Sequence, residues 1–129
     1  EESVYYADTG WLEVDLGITG WGSRARPGFY LRTMLHSNAI PVPGEDIGLR
    51  WNEAHYADAE LDEQIDIATT SPDPAASVAA YHEIQRILIE RGPLIIPYFF
   101  AQFGVMASSV SNVSVHPFAG RTDFRSATV

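Results

Sequence analysis

The chain has no cysteine and no lysine, and each gap excludes something. Without cysteine there is no disulfide, no thiolate nucleophile and no cysteine-ligated metal. Without lysine, eight arginines face 17 acidic residues, for a formal net charge of −9. That balance repels a polyphosphate, and no basic stripe interleaved with aromatics offers a nucleic-acid surface. Anionic membrane surfaces are disfavoured on the same ground. No apolar run approaches the ~18 to 20 residues that span a bilayer. No secretory or transit segment opens the chain, and Glu1 is expected to be a cut or processed end. Catalytic signatures are missing too: there is no Gly-x-Ser-x-Gly elbow, no P-loop and no Gly-x-Gly-x-x-Gly. Neither an enzyme nor a cofactor is expected.

What is present argues for a folded domain. The 129 residues are 46% hydrophobic and include three tryptophans, a one-domain length with material for a core. Four histidines, His36, His55, His82 and His116, raise the question of metal. None is paired at the i, i+4 spacing of a helical zinc site, so no metal site is expected.

Trp11 to Thr19 alternates Leu12, Val14, Leu16 and Ile18 with polar or small residues, the period of a half-buried strand. Gly20 and Gly22 bracket Trp21 and end it in a bend. Pro27 suits the first turn of a helix carrying Leu31, Met34 and Leu35 and stopping near Ser37-Asn38. Residues 39 to 50 read as a loop. A second helix is expected from Asp58 to Thr70 with Leu61, Ile65 and Ala68 on one face, its acids forming a solvated surface. The clearest helix runs from Pro74 to Arg91, capped by Asp73 and stopped by Gly92-Pro93. Its expected stripe is Val78, Tyr81, Ile84 and Leu88, with Ile87 beside it. LIIPYFF, Leu94 to Phe100, reads as an edge or bulged strand because Pro97 cannot donate to a ladder. Gln102 to Ala107 and Val113 to His116 are further strand candidates. The predicted class is α/β, with helices packed on a mixed sheet.

Within TGWGSRARPGFYL, Arg24 and Arg26 follow Trp21 by three and five residues. Two readings stand together. The arginines offset nearby acids in solvent, or a strand end delivers an aromatic face and a guanidinium fork to a ligand. The second suits a carboxylate, which arginine binds bidentately while the indole gives apolar contact. The candidate ligand residues are Trp21, Gly22, Ser23, Arg24 and Arg26.

Four segments in order, GITGWGSRARPGFYLRTMLHS, WNEAHYADAELDEQIDIATT, AAYHEIQRILIERGPLIIPYFFAQFGV and VHPFAGRTDFR, give the chain a family likeness. It resembles the C-terminal part of the extracellular solute-binding proteins of ABC importers, the family 5 group that includes oligopeptide-, dipeptide- and nickel-binding proteins. The resemblance implies part of one lobe of a two-lobed, type II periplasmic-binding fold, with about 117–129 returning toward the other lobe. It implies a peptide or other small-molecule ligand, an ABC permease as partner and a periplasmic or extracellular location, with lipid anchoring open. It also implies a piece with uncovered sheet edges, expected to self-associate. Peptide-binding relatives carry an aspartate where Arg24 stands, so the reversed charge favours an anionic group over a peptide ammonium. The alternative reading is a self-contained protein-interaction domain.

Overall fold

The computed structural model describes residues 1–7, 10–101, 103–116, 118 and 120–129. Its chain divides into two compact units, one of residues 1–18 and 26–95, the other of 19–25 and 96–129.

The first unit is helical. A short α1 (Glu2–Tyr5) is followed by a 3-10 turn at Gly10–Leu12. Helix α2 (Gly28–Tyr30) runs directly into one π-turn, Leu31–Leu35, closed by the His36 amide on the Leu31 carbonyl at 3.0 Å. A 3-10 turn, Ser37–Ala39, follows. Then come α3 (Ala59–Thr70) and α4 (Pro74–Arg91), joined by three residues. So short a link between helices makes them antiparallel neighbours.

Helices α3 and α4 begin where the sequence supplies caps. Asp58 Oδ1 accepts from the amides of Glu60 and Leu61 at 3.0 and 3.1 Å, and Asp73 Oδ1 accepts from Ala75 at 2.9 Å. Pro74 occupies the first turn of α4, where a missing N–H costs nothing. Leu61, Ile65 and Ala68 of α3 meet Ala80, Ile84 and Ile87 of α4 in one buried cluster with Leu31 and Leu35. The stripe of α4 is rotated from its expected position. Ala80 and Ile87 are buried, Tyr81 and Leu88 are half-buried, and Val78 faces solvent. Gly28 is required for close approach, because a Cβ there would meet Thr69 Cγ2 of α3 at 3.0 Å.

The acidic face expected to be solvated is exposed at Glu60, Glu63 and Asp66, and it also carries an ion-pair seam. Asp58 Oδ2 accepts from Arg91 Nε at 2.7 Å and from the Tyr56 hydroxyl at 2.9 Å. Glu60 accepts from Arg91 and Arg86, and Arg86 also reaches Glu83 and Glu90. On the other side Arg32 binds Asp66 at 2.9 Å and Thr69 at 2.8 Å. The start of α3 is thus tied to the end of α4, and α3 to the π-turn.

The predicted α/β class does not hold. The described residues contain no strand, only two isolated antiparallel bridges, Ser111 with Thr128 and Ser114 with Asp123. The Trp11–Thr19 stretch is the 3-10 turn followed by bends, with Leu12 buried but Leu16 and Ile18 almost fully exposed. Leu94 to Phe100 has no ladder. Alternation only becomes a strand when a partner strand accepts its backbone, and no described segment does so. A lobe with helices on a mixed sheet is excluded with it. The expected strand 102–107 and the terminal segment 117–129 begin at Gln102 and Pro117, which lie outside the described residues, as does Ala119.

Ile65 is completely buried and Val78 largely exposed. Ile65→Ala should lower the unfolding free energy by about 2–5 kcal/mol in urea titrations, whereas Val78→Ala should stay within about 0.5 kcal/mol. Arg91, and then the Leu61 amide, hold the Asp58 carboxyl well below the ordinary carboxylate range. A depressed folded-state value stabilises above the unfolded value of about 3.9, and that gain is lost as pH falls through and below it. Asp58→Asn should therefore be less stable than wild type at pH 7. The gap between the two midpoints should narrow as pH falls below about 3.9 and close only once pH passes the depressed folded-state value.

Candidate functional site

The residues singled out from sequence fall into both units. Trp21, Gly22, Ser23 and Arg24 belong to the second unit, within its 19–25 segment, whereas Arg26 belongs to the first, just before the cap Pro27. Trp21 is half-buried, and Gly22, Ser23 and Arg24 are exposed. The Arg24 guanidinium folds back on the backbone just before it. Its Nη1 donates to the Ser23 carbonyl at 3.2 Å and to the Gly22 carbonyl at 3.4 Å. These bonds hold one guanidinium nitrogen against the two preceding carbonyls.

A second polar group in the same unit escaped the sequence reading. His116, Gly120, Arg121, Thr122, Asp123 and Arg125 line an open surface depression of about 540 Å³. His116 is anchored twice, by its amide on Thr122 Oγ1 at 3.2 Å and by its Nδ1 accepting the Phe118 amide at 3.0 Å. Gly120 turns the chain at φ +72°, a conformation that suits glycine. Asp123 and Arg125 grip each other at 2.7 Å between Nη2 and Oδ2 and 3.0 Å between Nε and Oδ1. That pair draws the Asp123 carboxyl down and the Arg125 guanidinium up from their ordinary values, mainly through the side-chain hydrogen bonds. The signal in the sequence was the Gly120-Arg121 turn after His116, which a strand reading of 113–116 passed over.

In the first unit His36 is buried, with Nδ1 accepting the Asn38 amide at 3.1 Å. Nε2 lies 3.7 Å from Asp66 Oδ1. Asp62 is turned toward Ser37, accepting its amide at 2.9 Å and its hydroxyl. Buried Asn52 spans the loop, donating to the carbonyls of His36 and Tyr56 and accepting the Tyr56 amide. These bonds fix the 36–58 loop in place and satisfy every buried polar atom they bring in. Among the described residues no group of three His, Cys, Asp or Glu is placed to hold a metal ion.

Comparison with known proteins narrows the identity little and corrects the resemblance. No family model matches the chain. No solved structure matches it either. Protein XP55 of Streptomyces lividans is 37% identical over 78 residues, which is 60% of this chain and 13% of XP55. The chain therefore spans a small part of that relative's length. The resemblance to importer solute-binding proteins is not upheld, because no family model supports it and the described fold lacks the sheet that such a lobe requires. What stands is a helical unit and a strand-poor second unit, with a stretch similar to part of XP55.

Proposed function

We propose that the chain is a binding segment that performs no chemistry, and that its ligand is a small, peptide-like or other organic solute bearing a carboxylate. The observation that supports this is the Trp21–Arg24 segment. There an exposed guanidinium is held by the Gly22 and Ser23 carbonyls, three residues from a half-buried indole. A fork fixed at one edge loses less entropy on meeting a carboxylate, and the indole offers apolar contact beside it. The proposal includes hand-over of the solute to an ABC permease from a periplasmic or extracellular location. No helix of the described residues is long and apolar enough to cross a membrane. The second reading, a protein-interaction domain, draws on the exposed apolar residues between Leu94 and Met106.

A thermal-shift series separates the two. Peptides and amino-acid derivatives with free carboxylates should raise Tm, since a ligand at 100 times its Kd adds about 2.7 kcal/mol. Their carboxyl-amidated forms should shift it far less. Arg24→Asp should abolish the shift while leaving the unliganded Tm within about 2 °C, as expected of an exposed side chain away from the core. Equal shifts from free and amidated ligands, or shifts unchanged in Arg24→Asp, would remove Arg24 from the site. No shift from any ligand would favour the interaction domain.

A further inference from the structure

The two units carry opposite charge. The second holds three arginines, Arg24, Arg121 and Arg125, against Asp123 alone, a formal +2. The rest of the chain, with five arginines and 16 acids, carries −11. Two of the three arginines line the depression of the second unit, and the backbone beside it is braced. Ser111 and Thr128 exchange both backbone hydrogen bonds, at 2.9 and 3.1 Å, and Ser114 bridges to Asp123. The Arg121 amide donates to the Phe118 carbonyl at 3.2 Å, and His116 is held by Thr122 and Phe118. Donors are left over on that frame. The Arg121 side chain is exposed and makes no hydrogen bond or ion pair with any described residue. Arg125 spends Nε and Nη2 on Asp123 and keeps Nη1. Thr122 Oγ1 accepts the His116 amide and keeps its own proton for another partner. Asp123, the one carboxylate in the lining, is matched by Arg125, so the depression retains the whole charge of Arg121.

We infer that this depression binds a phosphate group, as the free ion or as the monoester of a small organic molecule. A carboxylate offers only a pair of oxygens, which a single guanidinium fork fills. Here unspent donors come from three side chains of the lining, and a tetrahedral group with more oxygens can engage all of them. Arg121 supplies the bidentate fork, Arg125 Nη1 a second charged donor and the Thr122 hydroxyl a neutral one. The depression, at about 540 Å³, is larger than a phosphate needs, and its open side leaves room for the organic part of an ester. The chain's net −9 opposes a polyanion that spans many charges, which restricts the ligand to a small one. The inference is independent of any carboxylate at Arg24, because the two sites share no residue.

Amide chemical shifts of the whole chain, followed by nuclear magnetic resonance at constant ionic strength, test it. Inorganic phosphate and glycerol 3-phosphate are the probes. Shifts should concentrate at His116 and residues 120–125 and saturate with a Kd on the order of 1 mM. The tighter of the two probes identifies the source, ester or free ion. Acetate should act on the same amides roughly fivefold more weakly or less. Arg121→Gln should weaken phosphate roughly tenfold, as the loss of charge-assisted hydrogen bonds does. Its helical circular dichroism should be unchanged, because the side chain has no partner to lose. Arg50→Gln removes one positive charge from the first unit and should leave the Kd within about twofold. No saturation by ~20 mM phosphate, shifts centred outside 116–125, or acetate as tight as phosphate overturns the site. So does an Arg121→Gln variant that binds like wild type, or equal weakening by Arg50→Gln. Carboxylate effects at residues 21–24 test the reading above on other amides, so each of the two can fail alone.

Discussion

Everything ordered in the first unit depends on burying one face of α3 against α4. Leu61 and Ile65 are fully buried there, and Ile84 and Ile87 close over them. A helix of α3's length is marginal alone in water, so its persistence comes from this packing. The π-turn adds Leu31 and Leu35 to the same cluster, and Gly28 lets α2 come close enough for the contact to form. The loop from His36 to Asp58 then has a surface to lie on. Asn52 fastens it by carrying the backbone groups that a sheet would otherwise have satisfied.

The charges follow from that packing. An antiparallel pair brings the acidic first turn of α3 beside the basic last turn of α4, so Asp58 and Glu60 meet Arg91. Each carboxylate also sits where the helix dipole favours it. Exposed pairs of this kind are weak singly, but Asp58 joins a cap, a tyrosine hydroxyl and an arginine in one carboxylate. Arg32, Arg86 and Arg91 are spent as clamps in a chain with only eight arginines. A chain with so few cations has put them first where its acids crowd.

Local signals were legible in the sequence and non-local ones were not. Asp73 as a cap, Pro74 in a first turn and the Gly92-Pro93 stop after Arg91 are each read within four residues, and all hold, whereas Asp58, expected as the first residue of its helix, is instead its cap. Val78 was misplaced because a stripe drawn on apolar character alone cannot tell which edge the neighbouring helix covers; small Ala80 is where α3 comes near. The strands failed for a different reason. Leu12 to Ile18 and Leu94 to Phe100 carry the composition of strands, but composition does not supply a partner. The Tyr81-to-Leu88 segment that carried the family likeness is a capped amphipathic helix, and such a helix forms from those causes in any family. At the candidate site the bend expected at Gly20–Gly22 is absent from the described residues, the nearest bend being at Ala25. The return of the Arg24 side chain to the Gly22 and Ser23 carbonyls left no sequence signal.

The two units therefore pose opposite energetic problems. Residues 26–95 order their backbone and recover the cost in a closed apolar cluster. Fixing each residue costs about 1–2 kcal/mol of backbone entropy, yet the large apolar side chains described between 96 and 106 stay largely exposed. Trp21 and Arg24 share a unit with that segment. A ligand at Arg24 would thus meet a unit whose described apolar side chains are left largely in water, whereas the first unit closes its own into one cluster.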